Sequence, residues 1–296
     1  MSAAATVPNP GAAIGVSGRP VKSRRPLLGW HIHDGFTVSK RNLIQTIRVP
    51  ELLFFSLVQP VIFVLMFAYV FGGAIPVPGS GGGSDAYRQY LIPGIFGQTV
   101  AFAAAASTVG ISEDMSKGII DRFRSLPMRA SAVLFGRTFA DAARMVLVLA
   151  VLSLTGLVVG WRINDGALYA FYAYLLLLLF AYTMAWIGSW VGLYMPNPET
   201  ANTAGLLWLF PLTFISNAFV PLAGMPPGLQ AVAAWNPLSA LVLSCRELFG
   251  NDLGQISSGG YWSLEHPVAY TLISCAVLLA VFVPLSVRKY RTSTVR

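Results

Sequence analysis

The chain has 296 residues, of which 55% are hydrophobic and 11% charged, and its mean hydropathy is +0.64. A soluble domain carries about 25% charged residues, so an ordinary water-soluble enzyme is excluded. The net charge of +8 would suit nucleic acid, but Lys and Arg lie almost wholly between apolar blocks, which points to membrane edges and no nucleic-acid partner.

Residues 1–29 are rich in Ala, Pro, Gly and Ser and carry Arg19, Lys22, Arg24 and Arg25. No apolar core follows closely, so the segment reads as a disordered cytoplasmic tail, not a secretory signal. From Trp30 to Pro50 the chain mixes apolar and basic residues. Phe36, Leu43 and Ile47 share one helical face beside Arg41. This predicts a basic amphipathic helix on the membrane surface, against the plainer reading of a juxtamembrane linker.

Six apolar blocks follow, and the fold class predicted is an all-α integral membrane protein with six transmembrane helices. The blocks are Leu52–Phe71, Leu91–Ile111, Ala142–Trp161, Ala167–Val191, Thr203–Val220 and Val268–Val287. Each is about long enough to cross a bilayer, and in lipid such blocks must be helical. Pro60 and Pro211 are expected to kink theirs. Residues 30–290 therefore form one membrane domain, and 291–296 a cytoplasmic tail.

The basic residues set the orientation. Seventeen of the twenty precede the first block, lie between Lys117 and Arg144, or follow the last block. The other three are Arg88, Arg162 and Arg246. Both termini and the loop at Lys117 are thus predicted to be cytoplasmic, and an even number of crossings agrees.

Between the blocks, Gly79–Ser84 has flexible-linker composition. No Gly-Lys pair occurs anywhere in the sequence, so no phosphate-cradling loop is recognisable. The loop after the second block is more informative. Ser112 is placed to cap a helix, with Glu113 and Asp114 at its positive end and Arg122 and Arg124 at the other. Met115, Ile119, Phe123 and Leu126 supply an apolar face, and Pro127 a stop. This predicts a short cytoplasmic helix that either anchors the loop or docks a partner. The last outer loop, Pro221–Pro267, holds apolar pieces broken by Pro226, Pro227 and Pro237, expected as short re-entrant helices.

Polar residues inside the blocks are few: Gln59, Gln98, Ser216 and Asn217. Gln59 and Asn217, beside Phe55, Phe63, Phe210 and Phe214, are candidates for a substrate path suited to a flat amphipathic drug or a lipid. The alternative is interhelical hydrogen bonding with the rings facing lipid. Asp141 and Arg144, three apart near the start of the third block, are expected to form a local ion pair at the membrane edge, against the alternative of a proton relay. Arg246 and Glu247 are expected on a solvated rim, with Glu247 a possible outer gate. His31 and His33 lie two apart with no further ligand near, and Cys245 and Cys275 form no pattern, so no metal site is expected. Cys275 is expected as a core residue.

Four stretches carry a resemblance: Glu113-Asp114 followed by Gly118-Ile-Ile-Asp121-Arg122-Phe-Arg124-Ser-Leu-Pro127; Asn197-Pro198-Glu199; Phe214 to Met225-Pro226; and Trp235-Asn236-Pro237-Leu238. Over residues 30–290 the chain resembles the permease subunit of type-2 ABC exporters, most closely the daunorubicin/doxorubicin-resistance branch. The resemblance implies a multi-pass permease of the cell membrane, moving an amphipathic or hydrophobic substrate outward and not itself an enzyme. It implies no cofactor in this chain; ATP and Mg would be held by a separate cytoplasmic ATPase. Two ATPases would join two permeases, as a homo- or heterodimer, within the lipid bilayer. Glu113, Asp114, Gly118, Asp121, Arg122 and Arg124 would belong to the helix that couples to the ATPase. Trp30, Phe36, Arg41, Leu43 and Ile47 would belong to the connecting helix. The competing classes are a secondary transporter, which would need inverted repeats and buried ionisable groups, and a lipid-modifying membrane enzyme, for which no nucleophile–base set stands out.

Overall fold

The computed structural model describes residues 50–70, 83–118, 130–251 and 260–292. All regular structure among them is helical. Helices α1 (Pro50–Val70), α2 (Ser84–Ser116), α3 (Ala130–Val159), α4 (Ala167–Gly192) and α5 (Pro198–Phe214) are followed by a short 3₁₀ turn, Leu222–Gly224. Then come α6 (Pro227–Ala234), α7 (Pro237–Leu248), α8 (Trp262–Glu265) and α9 (Pro267–Thr292). A helix thus lies at each of the six apolar blocks. Among the described residues four helices, α2, α3, α4 and α9, are long and apolar enough to cross a bilayer, and the bent pair α6–α7, which lies outside the six blocks, would make a fifth if counted as one span. The basic amphipathic helix predicted between Trp30 and Pro50 lies outside the described residues.

The fifth block departs from its expected bounds. Its helix is 17 residues long and stops at Phe214, and Ile215–Val220 turns away without helical structure. The expected end at Val220 is therefore corrected. Asn236 explains how this break is tolerated. Its amide nitrogen donates to the Leu212 and Ile215 carbonyls at 2.7 and 2.6 Å, groups that the end of α5 would otherwise leave unpaired. Its carbonyl oxygen accepts from Leu238 N at 2.9 Å, which makes Asn236 the N-cap of α7, with Pro237 opening the helix. Asn197 acts alike at the start of α5, accepting from Thr200 N at 2.8 Å ahead of Pro198. Two of the sequence motifs are thus helix starts.

Helix α2 is the axis of the molecule. Two-thirds of its most apolar window is buried, against 17% for α9 at the rim. It packs on α4 above all, then on α5, α1, α7 and α3. Small residues permit this. A Cβ at Gly188 would overlap the Ala104 carbonyl, and one at Gly192 the Thr108 carbonyl, so α4 lies directly on the backbone of α2. Thr108 Oγ1 crosses the seam to the Gly188 carbonyl at 3.0 Å. Without a hydrophobic drive between helices in lipid, such close backbone contact supplies the association. The outward faces are apolar, with Val158 84% and Leu207 74% exposed, which fits lipid as their solvent. Cys275 is buried in the core.

Helices α6 and α7 meet at 72°, so the expected broken helices of the last loop are present. They reach deeper than the sequence suggested. From Leu238 to Arg246 every residue of α7 is buried, and the helix packs against α2, α4 and α9.

At the same end, Trp161 Nε1 donates to Asn251 Oδ1 at 2.6 Å. Asn251 Nδ2 donates to Gln89 Oε1 and to the Arg162 carbonyl at 2.8 and 2.9 Å. Trp161 and Phe249 stack edge to face at 5.1 Å. This latch joins the start of α2, the α3–α4 turn and the end of α7.

Candidate substrate cavity and coupling end

Between α1, α2, α3 and α5 lies a cavity of about 390 Å³. Gln59 and Phe63 enter it from α1, Gln98 and Phe102 from α2, Arg144 and Met145 from α3, and Asn202 and Phe210 from α5. The helices leave room because α1 and α5 are bridged at their ends by rings and do not close side to side. Phe63, Phe67, Phe219, Phe214, Phe210 and Phe102 form a continuous chain of ring contacts, with centroids 5.0 to 6.0 Å apart. Aromatic pairs at such separations contribute beyond their area.

Of the residues expected to line a path, Gln59, Phe63 and Phe210 converge here. Phe214 stacks on Phe210 at 5.9 Å. The side chain of Phe55 lies outside the described residues. Asn217 goes elsewhere: it is fully buried beside α2 and α7, and its carbonyl accepts from the Tyr90 hydroxyl at 2.8 Å. The chain from Ile215 to Val220 folds inward, which is why Asn217 leaves the path that periodicity along a straight helix would give it.

Two further expectations are corrected. Asp141 accepts from Ser107 Oγ at 2.6 Å on the neighbouring helix α2, and the ion pairs among the described residues do not include one with Arg144. Nor is Arg246 on a solvated rim. It is 1% exposed. Its Nε donates to the Tyr90 carbonyl and its Nη2 to the Asn217 carbonyl, both at 2.9 Å, and the guanidinium lies 3.5 Å from the centre of the Tyr90 ring. Three carbonyl contacts, with Ala218 at 3.3 Å, and a ring face replace water around the charge. Glu247, the gate candidate, is half-buried at the end of α7.

At the other end of α2 the helix start expected at Ser112 is absent. Ser112 is buried within α2, which runs without a break to Ser116. The stop comes at Lys117-Gly118, with Gly118 at φ +66°, a conformation glycine adopts without strain. Glu113 and Asp114 therefore sit in a last turn, where the helix dipole disfavours acids. Cations offset this: Lys117 pairs with Glu113 at 3.1 Å, and Arg137 of α3 pairs with Asp114. Gly110 gives Arg137 its space, since a Cβ there would overlap the guanidinium. The ends of α2 and α3 are thus tied at the root of the 119–129 segment. Asp121, Arg122 and Arg124 lie outside the described residues, as do Trp30, Phe36, Arg41, Leu43 and Ile47 and the pair His31 and His33. Among the described residues no cluster of His, Cys, Asp or Glu could hold a metal.

A helical protein with apolar outer faces, a polar-and-aromatic cavity between crossing helices and one rigid axis joining that cavity to a charged end belongs to the class of membrane transport proteins. Residues 34–249 match the family model of the ABC-2 type transporter, and the chain belongs to that family. It is 34% identical to the daunorubicin resistance ABC transporter permease protein DrrB1 of Streptomyces coeruleorubidus over 82% of this chain and 80% of that one. It is 25% identical to the doxorubicin resistance ABC transporter permease protein DrrB of Mycobacterium tuberculosis over 95% and 96%. A putative transport permease of Cyanophora paradoxa, ycf38, is 26% identical over 77% and 78%.

Proposed function

We propose that the chain is the membrane half of an ATP-driven exporter, with six crossings, both termini in the cytoplasm, and the cavity between α1, α2, α3 and α5 as part of the route for an amphipathic substrate. A partner ATPase would grip the cytoplasmic 119–129 segment. The observation that carries this reading is the continuity of α2. One helix of 33 residues, about 50 Å long, bears Tyr90 of the Arg246 clamp, then Gln98 and Phe102 of the cavity, then Glu113 and Asp114 at the charged end. A push on the last turn would pass along unbroken helix to the cavity wall at Phe102 and Gln98, with the internal Pro93 lying beyond it toward Tyr90. The resistance names of the relatives support export of a drug-like or lipid-like compound. The exposed flank of the cavity, with Asn202 and Phe210, suits closure by a second permease.

The test uses the chain co-purified with its ATPase in proteoliposomes. Reversing Glu113 and Asp121 to Lys is expected to lower transport per ATP hydrolysed while insertion is retained. Phe210→Ala is expected to change the substrate profile while coupling is retained. Wild-type transport and wild-type ATPase capture by both variants would refute the reading.

A further inference from the structure

Arg144 is the one ionisable side chain among the residues lining the cavity. It is the third residue of the apolar block that begins at Ala142, so it stands at the edge of the apolar layer on the side of the Lys117 loop. It is half-buried, and its Nε is shut off from solvent without a hydrogen-bond partner. The neighbour expected to neutralise it, Asp141, is engaged by Ser107. An arginine cannot shed its proton to escape such a place. A buried N–H without an acceptor is costly, and at a membrane edge such a cation faces a partner or a wet path. Arg246 differs in that its Nε and Nη2 donate to three backbone carbonyls above the Tyr90 ring, whereas the guanidinium of Arg144 faces the cavity.

The rest of the wall decides what would complete it. Gln59, Gln98 and Asn202 offer amide donors near the same space, and no carboxylate lines it to compete. Phe63, Phe102 and Phe210 give the apolar surface for a body attached to that head. A planar fork of N–H donors matches two oxygens of a carboxylate, phosphate or sulfate. A cationic head would meet a like charge at low dielectric. We propose that Arg144 makes this cavity selective for amphiphiles that carry an oxyanion head, seated on Arg144 with the apolar body among the rings. The proposal rests on the reading of the cavity as the substrate route.

Binding of dansyl-undecanoate to the full chain in phosphatidylcholine nanodiscs tests it, against the methyl ester of the same probe and the corresponding amine, with empty nanodiscs subtracted. Wild type is expected to bind the ionised acid about tenfold more tightly than the ester, and the amine most weakly. Arg144→Gln removes the acid's advantage and leaves the ester unchanged, and Arg144→Lys keeps part of it. Equal binding of acid and ester to wild type, tightest binding of the amine, or an equal loss of both probes in Arg144→Gln would each overturn the proposal. Phe210→Ala separates the two levels. If it weakens acid and ester alike while Arg144→Gln leaves their ratio untouched, the cavity stands and the head-group selectivity falls. If it alters neither probe, the cavity is not the binding place and both fall.

Discussion

Two arginines within the helical bundle, Arg246 and Arg144, show how differently the two sides of the molecule are built. On the α7 side a full-length cation is 1% exposed and wrapped by the carbonyls of Tyr90, Asn217 and Ala218. On the α1–α5 side a second cation faces a cavity with a buried, unpartnered Nε. The first side is packed backbone to backbone through glycines; the second is held apart by a chain of phenylalanines. A buried cation bound to backbone carbonyls from two segments ties the scaffold together. A cation that faces a cavity and bonds to no acceptor among the described residues marks where the fold keeps room for something else.

The comparison can be broken most severely at the tight side. Gly188→Val places a branched side chain against the Ala104 carbonyl and pries α4 off α2, losing the Thr108 bond as well. The expected result is no monodisperse protein on size exclusion in mild detergent; a wild-type profile and melting temperature would show that the seam tolerates separation. Next in size is Arg246→Gln. It strips the Tyr90, Asn217 and Ala218 carbonyls of a charged donor in a dry site and is expected to cost about 3 kcal/mol, read as an earlier unfolding midpoint in a denaturant titration in micelles. Asn236→Ala removes the α7 cap and two bonds to the end of α5. An intermediate loss of about 1–2 kcal/mol is expected by the same titration.

Much of the scaffold was legible because hydropathy in long blocks reports burial in lipid directly. The apolar stretches around Ala167–Val191 and Val268–Val287 lie within helices at Ala167–Gly192 and Pro267–Thr292. The cavity was legible in part, since Gln59, Phe63 and Phe210 are polar or aromatic residues at mid-block. What failed did so where the chain leaves a straight helix. Asn217 and Arg246 sit on segments that fold back into the bundle, and no periodicity announces a re-entrant path. Arg246 looked like a loop cation because its partners, Tyr90 and Asn217, are 156 and 29 residues away in sequence. Ser112 looked like a cap because Ser followed by two acids usually is one; the packing of α2 against α4 carries the helix past it. Arg144 was visible as a charge, but its solitude was not: Asp141 three residues earlier offered a partner that geometry gives to Ser107. Asn236-Pro237 and Asn197-Pro198 could have been read from sequence alone as caps followed by a first-turn proline.

The smallest expected effect sharpens the comparison most. If Arg144 is there to meet a ligand, its removal costs the empty fold almost nothing. Gln keeps a polar head in the cavity, removes the desolvated charge and breaks no bond among the described residues. Arg144→Gln is therefore expected to shift the unfolding midpoint of the unliganded protein by no more than about 0.5 kcal/mol, and toward greater stability if the change is resolved. Measured side by side in the same micelles, Arg144→Gln and Arg246→Gln should then differ by several-fold in cost although both delete one guanidinium from an apolar helix. Two equal losses would mean that Arg144 is a structural strut like its counterpart, and the division of the molecule into a satisfied scaffold and an unsatisfied site would not hold.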